Sequence, residues 1–292
     1  MGIVSDDILK VWLMEDIGMA DFTTDFTISD GEKCRFRLIS KSVDDFVLCG
    51  VDGIAERIIE IVTKMSDKSD FAIFKTVSDG SNVKNGDVIW EGECSAAVFL
   101  KSERLILNIC QHLSGIATKT RQFIRALDDP KITILDTRKT LPNLRNLQKY
   151  AVKIGGGSNH RFSLSDLIMI KDNHISASGG VSNAINNAIN GRQSANKLDL
   201  KIEVECDTID QVREALLHKI DIIMLDNMDI DQIKCASDII RSTNEGMKIE
   251  VSGNMNLQNI SKYRGLDIDY ISIGALTHSV SAIDISAEMV RI

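Results

Sequence analysis

The fold of this 292-residue chain is decided by residues 201–206, Lys-Ile-Glu-Val-Glu-Cys, in which charged and apolar side chains alternate. Successive side chains of a β-strand point to opposite sides, so the apolar set faces one side and the charged set the other. Residues 248–252, Lys-Ile-Glu-Val-Ser, repeat this alternation. Strands of parallel sheets covered by helices are usually apolar throughout, so the polar face of these two strands needs its own explanation.

A rhythm of strand, loop and helix begins at residue 131 and continues through both segments. Six stretches are typical of its strands: residues 132–136, 167–171, 201–206, 221–226, 248–252 and 270–274. Helical patterns follow the third, fourth and fifth of them, at residues 209–218, 230–241 and 257–263. Repeated strand–helix units predict a parallel sheet, and six strands are compatible with a barrel.

The N-terminal part of the chain has a different character. Ser5 is a candidate N-cap for a helix that ends near Gly18, and residues 99–127 carry an apolar face at helical spacing. Short β-type stretches separated by turn residues lie between these helices. Residues 1–108 are therefore predicted to form an α+β domain that precedes the repeated units.

One predicted hairpin in this domain raises an alternative function. Asn85-Gly86 is a turn signal between residues 82–83 and 88–90, which predicts a β-hairpin. A hairpin is also the modified element of lipoyl and biotin carrier modules. This hairpin presents no modifiable lysine of the expected kind, so a carrier module is disfavoured.

Composition and charge exclude several classes of function. The net charge of −8 and the isoelectric point near 5.2 disfavour nucleic acid and anionic membranes as partners. No apolar run approaches the length of a membrane span, and the N-terminus lacks a signal-peptide pattern. The six cysteines form no C-x-x-C pair, which predicts reduced thiols in a cytoplasmic protein. The five histidines lack the spacing typical of a zinc site.

Cationic side chains cluster after two of the predicted strands. Residues 136–140 (Asp-Thr-Arg-Lys-Thr) and 170–174 (Ile-Lys-Asp-Asn-His) end such strands, and Asn159-His160-Arg161 lies between them. Ordinary surface charges are the plain alternative, but this position at strand ends favours a pocket for a small anion with several charges. Guanidinium and ammonium groups there can pair with carboxylates or phosphates.

The alternating strands extend this pocket into the predicted barrel. If the apolar sets face the outer helices, the polar sets face the interior, whose lining at one end is then Arg138, Lys171, Glu205, Asp226 and Ser252. Buried charges without partners are costly, so this lining predicts a binding site. Carboxyl ends of strands are also where barrels place their chemistry. The alternative is an open antiparallel sheet whose polar face is solvated.

Acids and glycine turns accompany the cations. Glu205 and Asp226 are suited to hold Mg²⁺ on a phosphorylated substrate or to stabilise developing positive charge. Ser252-Gly253 and Gly274-Ala275 follow the last two strands, where backbone N–H groups of such turns can cradle a phosphate. Cations, acids and turns together suggest a phosphorylated sugar and an organic anion as ligands.

Several segments of the chain resemble the quinolinate phosphoribosyltransferase family. The similar segments run in family order over nearly the whole chain, and they are residues 15–18 (Glu-Asp-Ile-Gly), 103–104 (Glu-Arg), 113–118 (Leu-Ser-Gly-Ile-Ala-Thr), 136–140, 155–161 (Gly-Gly-Gly-Ser-Asn-His-Arg), 170–174, 225–227 (Leu-Asp-Asn) and 274–279 (Gly-Ala-Leu-Thr-His-Ser). The resemblance implies a type II phosphoribosyltransferase fold. In it, an N-terminal α/β sandwich (residues 1–108, with the tail 276–292 packed on it) is joined to an incomplete parallel α/β barrel (residues 109–275).

The resemblance also implies a reaction and an assembly. Quinolinate and 5-phosphoribosyl-1-pyrophosphate would give nicotinate mononucleotide, pyrophosphate and CO₂ with Mg²⁺, a step of NAD biosynthesis. The protein would be a homodimer in which each sandwich domain covers the barrel mouth of its partner. Arg104 would reach the partner's site.

The family's functional residues carry over motif by motif. Arg138, His160, Arg161 and Lys171 would bind the quinolinate carboxylates together with Arg104. Lys139 would contact the phosphoribosyl pyrophosphate, Thr137 would be a further substrate-binding residue, and Glu205 and Asp226 would serve the ribose and the metal. The 5-phosphate would be bound by Ser252, Gly253, Asn254, Gly274 and Ala275. The residues with catalytic roles would be Lys139, Lys171, Glu205 and Asp226.

Three departures and two rival functions accompany the resemblance. Asn254 and Asn143 stand where the family usually has glycine, as does Ala20. Asparagine tolerates the left-handed backbone, so we expect the Asn254 turn to be retained. A paralogue associated with molybdenum transport shares the fold but typically lacks the counterparts of Asp136 and Lys171. A non-catalytic protein that binds small anions is the other rival.

Overall fold

The computed structural model describes residues 3–66 and 71–292. The chain divides into two compact units: residues 1–121, 142–156 and 279–292 form the first, and residues 122–141 and 157–278 form the second. Within the described residues, none of the helices combines the length and the apolar character that a membrane span requires.

The first unit is built around an antiparallel sheet with strand order β12-β1-β5-β3. Its strands and those of a small second sheet, β2-β4, are β1 (Lys33–Ser40), β2 (Phe46–Val47), β3 (Ala72–Thr76), β4 (Asn82–Val83), β5 (Val88–Ser95) and β12 (Ile285–Arg291). Along β1 the side chains are alternately exposed and buried, so one face of the sheet is in the core. Pairing of β12 with β1 brings the C-terminal tail into this sheet.

The first unit also contains helices. They are α1 (Asp6–Ile17), α2 (Phe22–Thr27), α3 (Glu56–Met65), α4 (Ala96–Leu127) and α5 (Arg145–Gly155), and a kinked helical turn, Val51–Ala55, leads into α3. The Ser5 hydroxyl accepts the Ile8 N–H and Gly18 caps the other end of α1, as predicted. In the core, the ring of Phe36 stacks on Phe99 of α4 with centroids 4.6 Å apart.

The hairpin predicted at Asn85-Gly86 is wrong. A tight turn does form, in which the Asp87 N–H donates to the Lys84 carbonyl and Gly86 has φ +81°. The strands on either side take different partners, however: β4 pairs with β2, whereas β5 pairs with β1 and β3. Turn chemistry fixes a local reversal, but packing of the neighbouring strands decides which ladders form.

The second unit is built around a parallel sheet of six strands in the order β6-β11-β10-β9-β8-β7. Its strands are β6 (Thr133–Leu135), β7 (Ile168–Ile170), β8 (Ile202–Cys206), β9 (Ile222–Asp226), β10 (Lys248–Ser252) and β11 (Tyr270–Ser272). Each lies within a stretch predicted from the sequence, and the predicted α/β fold is confirmed. The parallel register brings all six carboxyl ends to one edge, where Ser252 lies beside Asp226.

The helices of the second unit follow its strands. They are α6 (Asp172–Ser178), α7 (Val181–Ser194), α8 (Ile209–Ala215), α9 (Ile230–Thr243) and α10 (Ala275–His278). The helix predicted at residues 257–263 is wrong in type, because only a 3₁₀ turn, Ile260–Tyr263, is present. The side chains of Asn256 and Asn259 each accept the other's backbone N–H. Such local bonds compete with an α-helix.

Candidate active site

Polar side chains at the carboxyl ends of the parallel strands surround a cavity of about 350 Å³, called here the cationic cavity. Its lining contains the predicted site residues Thr137, Arg138, Lys139, His160, Arg161, Lys171, Glu205, Asp226 and Ser252. Met169, Met224, Glu250 and Ser272 complete the lining. The structure thus brings together the cations and acids that lie on separate strands in the sequence.

A second cavity, of about 410 Å³, adjoins the first and is called here the loop cavity. The two cavities share part of their lining: Thr137, Lys139, Asp226, Ser252 and Ser272. The predicted phosphate-binding residues lie around the loop cavity: Gly253, Asn254, Gly274 and Ala275. Two adjoining cavities of different chemistry suit two ligands, or two parts of a reacting pair.

A buried carboxylate at the end of β6 holds the segment that carries His160. The N–H of Ser158 donates to the Ile134 carbonyl at 2.9 Å, so this segment continues the edge of the sheet. The fully buried Asp136 carboxylate accepts the side-chain amide of Asn159 at 2.5 Å and the His160 N–H at 3.0 Å. These bonds explain why an acid stands at the start of a cationic segment, because the Asp136 carboxylate holds the neighbouring segment with His160 in place.

Two arginines form the strongest positive region of the cationic cavity. Nη1 of Arg161 donates to the Leu167 carbonyl at 3.0 Å. Nε of Arg138 is buried without a hydrogen-bond partner among the described residues. Burial and the neighbouring Arg138 charge lower the pKa of Arg161. An anion between the two guanidinium groups would relieve their repulsion and satisfy the orphaned donor.

Lys171 and Glu205, which the sequence assigned to different ligands, contact each other directly. Burial raises the pKa of Glu205, the hydrogen bond and charge of Lys171 lower it, and the nearby Asp226 raises it further. Residue types alone do not reveal this ion pair.

A buried acid pair lies at the base of the cationic cavity, and sequence reasoning assigned it no role. Glu203 and Glu250 are 0% and 1% exposed, and their Oε2 atoms lie 3.2 and 3.5 Å from Nε2 of His160. Burial, followed by the Glu203 charge, raises the pKa of Glu250 to about 8, against the lowering effects of His160 and a Ser272 hydrogen bond. The alternation of polar and apolar residues at 248–252 was the sequence signal that could have placed Glu250 on the polar face of its strand.

Two glycines in the turns of the loop cavity leave little room for a side chain, and an asparagine there has a left-handed backbone. A Cβ at Gly253 (φ +108°) would lie 2.3 Å from Oδ1 of Asn227, and one at Gly274 would lie 2.9 Å from Cδ of Lys139. Asn254 adopts φ +50°, which confirms the retained left-handed turn, and Asn143 adopts φ +61°. Both asparagines therefore occupy the conformation for which glycine is usual.

Two further residues of the loop cavity were missed in the sequence. Asn227 donates from Nδ2 to Oδ2 of Asp226 at 2.6 Å, which orients that carboxylate. His278 lies in α10 and lines the cavity beside Gly274. Its only signal was its place within the Gly-Ala-Leu-Thr-His-Ser block after the last strand.

The acids fit the predicted magnesium in donor type. Glu205 and Asp226 come from the neighbouring strands β8 and β9 and both line the cationic cavity. Carboxylate oxygens are hard donors of the kind that Mg²⁺ prefers, usually one or two of them together with substrate phosphates and waters.

Arg104 lies on α4 in the first unit, where it is exposed. It forms no salt bridge with the described residues of that unit. Its contribution to a partner subunit stays a prediction.

Comparison with known proteins agrees with this geometry. The N-terminal domain of quinolinate phosphoribosyl transferase matches residues 21–114, and its C-terminal domain matches residues 116–288. The chain is 41% identical to a probable carboxylating nicotinate-nucleotide pyrophosphorylase of Bacillus subtilis (strain 168), over 97% of this chain and 92% of the relative. It is 38% identical to quinolinate phosphoribosyltransferase [decarboxylating] 1b of Nicotiana tabacum, over 97% and 81%.

Solved structures give the same result. The crystal structure of NadC from Streptococcus pyogenes superposes with a TM-score of 0.87 at 40% identity, covering 98% of this chain and 96% of that one. Both domains, their order and the full-length relatives agree with the resemblance seen in the motifs. The chain belongs to the quinolinate phosphoribosyltransferase family.

Proposed function

We propose that this protein transfers the phosphoribosyl group of 5-phosphoribosyl-1-pyrophosphate to quinolinate and releases CO₂, giving nicotinate mononucleotide and pyrophosphate. The observation that carries this proposal is the pair of adjoining cavities. Arginines and lysines line one cavity and suit a dicarboxylate, while glycine turns line the other and suit a sugar phosphate. Asp226 lines both cavities and Glu205 lines the cationic cavity, so both ligands would approach these two acids.

The cations of the cationic cavity supply affinity for two adjacent carboxylates. Arg138, Arg161 and Lys171 line one space, and the first two have no carboxylate partner within hydrogen-bond reach among the described residues of their unit. Each charge-assisted hydrogen bond in such a site contributes roughly 1.5–3 kcal/mol. Bound there, quinolinate would present its ring nitrogen to the sugar held in the loop cavity.

The acids serve the transfer step. Attack of the pyridine nitrogen on C1 of the ribose forms the N–C1 bond as the C1–O bond to pyrophosphate breaks, and positive charge develops on the sugar. The carboxylates of Glu205 and Asp226 stabilise that charge. When CO₂ leaves, the electron pair stays on C2 beside the positively charged nitrogen, and a proton then replaces the carboxylate. Holding two anions in contact is the enzyme's main task.

Magnesium is part of the proposal. Glu205 and Asp226 would hold Mg²⁺, mainly through water and the bound pyrophosphate, and the ion would neutralise the charge of the leaving group. Lys139, which lines both cavities, would contact the same substrate.

A homodimer with a shared site is also part of the proposal. Met19 and Phe26 in the N-terminal segment are 98% and 81% exposed, which supports a covered surface in the assembled protein. Arg104 would enter the partner's cationic cavity. The six free thiols support a reducing, cytoplasmic location.

Release of CO₂ from carboxyl-labelled quinolinate tests the proposed reaction. Purified protein with phosphoribosyl pyrophosphate and Mg²⁺ should release label and form nicotinate mononucleotide, whereas nicotinate in place of quinolinate should give little product. Equal turnover of both acids would contradict the dicarboxylate site. Quinolinate binding without turnover would favour a small-anion-binding protein, and no quinolinate binding would favour the paralogue with another substrate.

Mixing of two inactive variants tests the shared site. Arg104→Ala and Lys171→Ala homodimers should each be nearly inactive. After subunit exchange at equal amounts, about a quarter of wild-type sites should return, because half of the dimers are mixed and each has one intact site. Mixed dimers without activity would assign Arg104 to its own subunit's site or to none.

A further inference from the structure

The ring of His160 is held by polar groups at both of its nitrogens. The N–H of Arg161 donates to Nδ1 at 2.7 Å, so Nδ1 carries no proton and Nε2 does. Nε2 lies 3.2 Å from Oε2 of Glu203 and 3.5 Å from Oε2 of Glu250. The protein itself therefore engages both nitrogens, and a ligand in the cationic cavity meets a ring that is already held.

The two glutamates are held out of water at a cost. Neither carboxylate oxygen of Glu203 has a hydrogen-bond partner among the described residues, nor has Oε1 of Glu250. Removing an ion from water is unfavourable, and apolar residues of similar volume are often as stable or more stable. A buried acid pair that weakens the core is expected where it serves a site rather than the fold.

The ring connects this acid pair to the cationic cavity. His160 and Glu250 both line the cavity, and the main-chain N–H that meets Nδ1 belongs to Arg161. The Arg161 guanidinium is held at its far end by the Leu167 carbonyl. Rotation of the ring would break the bond to the Arg161 N–H and loosen the arginine's backbone.

We propose that Glu203 and Glu250 are positioning residues that hold the imidazole of His160 as a wall of the cationic cavity and thereby fix Arg161 for a substrate carboxylate. This inference rests on the proposed function. It differs from the role that family resemblance implies for His160, because the ring offers the substrate its carbon edge and not a free N–H.

Nitrogen NMR of histidine-labelled protein tests the hold on the ring without any need for turnover. The His160 resonances are assigned by their loss in His160→Gln. In the wild type, His160 should be protonated at Nε2, with a sharp signal. In Glu203→Leu and Glu250→Leu, that signal should shift and broaden, because leucine removes a carboxylate oxygen that lies 3.2 or 3.5 Å from Nε2. In the control Glu214→Gln, whose carboxylate accepts the Ser182 N–H, the signal should not move.

Kinetics of the same variants test the positioning. Glu203→Leu and Glu250→Leu should raise the KM for quinolinate about tenfold, the effect of about one lost buried polar contact. The KM for phosphoribosyl pyrophosphate should stay within about twofold. Glu203→Gln should recover most of the loss, because its amide keeps a polar oxygen beside Nε2. Thermal melting at or above the wild-type temperature would show that the leucine variants fold.

Each outcome decides a separate point. Unchanged His160 signals in the leucine variants, or equal losses for both substrates, would overturn the positioning role. Metal analysis that found about one equivalent of cation on His160, removable by a chelator, would overturn it as well. A wild-type protein that releases no CO₂ from quinolinate would overturn the proposed function, while the NMR result would still decide whether the glutamates hold the ring.

Discussion

Strands β1 and β8 have the same kind of sequence, but their charged side chains have opposite surroundings. In β1, Arg35 and Arg37 are exposed and pair across the sheet with Glu93 and Glu91 of β5. In β8, every residue is buried, including both glutamates. Alternation of charged and apolar residues therefore indicates a strand with two different faces. It does not tell whether the polar face meets solvent or a ligand.

The difference follows from the sheets in which the strands lie. The antiparallel sheet of the first unit has one face in the core and one in water, so its charges pair at the surface for little gain. The parallel sheet of the second unit is flanked by helices along the chain, and its polar faces line a cavity. There the charges are costly unless they find partners or a ligand.

The largest expected effect is a loss of turnover when an acid of β8 is replaced, compared with replacement of an acid of β5. Glu205→Ala should lower kcat by about 10²-fold or more, since its carboxylate stabilises charge that exists only in the transition state. Asp226→Ala should behave in the same way. Glu93→Ala, the control on the exposed face, should leave kcat within about twofold. Steady-state assays decide, and wild-type turnover in Glu205→Ala would remove that acid from the mechanism.

Gly253 in the second unit and Gly86 in the first extend the comparison from strands to turns. Gly253→Ala should raise the KM for phosphoribosyl pyrophosphate at least tenfold, because its Cβ would lie 2.3 Å from Oδ1 of Asn227. Gly86 also has positive φ, +81°, but a Cβ there meets nothing within 4 Å. Gly86→Ala should cost about 1–2 kcal/mol of stability through backbone strain and leave both KM values unchanged. Similar KM changes in the two variants would end the distinction.

The pH dependence of stability tests the buried acid of β10. The pKa of Glu250 is about 8 in the folded chain, above about 4.3 for a free glutamate. The folded chain thus binds this proton more tightly, so its stabilising effect is complete below the unfolded pKa and is lost as pH rises through 8. Melting temperatures should fall more steeply between about pH 5 and 9 for the wild type than for Glu250→Gln.

Calorimetry of Glu91→Gln provides the control for that experiment. Glu91 pairs with Arg37 on the exposed face, so this variant should keep the wild-type pH dependence. Parallel curves for the wild type and Glu250→Gln would show that the acid pair does not titrate in this range.

The smallest effect is expected at the exposed pair of β1. Nη2 of Arg35 lies 2.6 Å from Oε1 of Glu93, with half-exposed side chains. A double-mutant cycle of Arg35→Ala and Glu93→Ala should give a coupling free energy of about 0.2–1 kcal/mol, weakened by salt. Denaturant titration measures it. A coupling of several kcal/mol would mean that the exposed face of β1 is not simply a solvated surface.

Much of the site was predictable because strand alternation and motif position are local properties. The six parallel strands, the family and the group of residues around the two cavities were all predictable from these patterns. The Lys171–Glu205 pair and the hold on His160 were not, because they join strands that are far apart in the chain. The hairpin at Asn85-Gly86 failed for the same reason, since a turn does not choose the partners of its strands.

The sequence by itself determined the family, the α/β class and the residue types that meet an anionic substrate, because motifs, periodicity and charge are written along the chain. The tertiary structure alone decided which charges lie inside and what each one touches. Only parallel packing brings the ends of β8, β9 and β10 to one edge, where burial and the Glu203 charge raise the pKa of Glu250. Water screens the charged residues of β1, so similar alternating patterns acquire different functions.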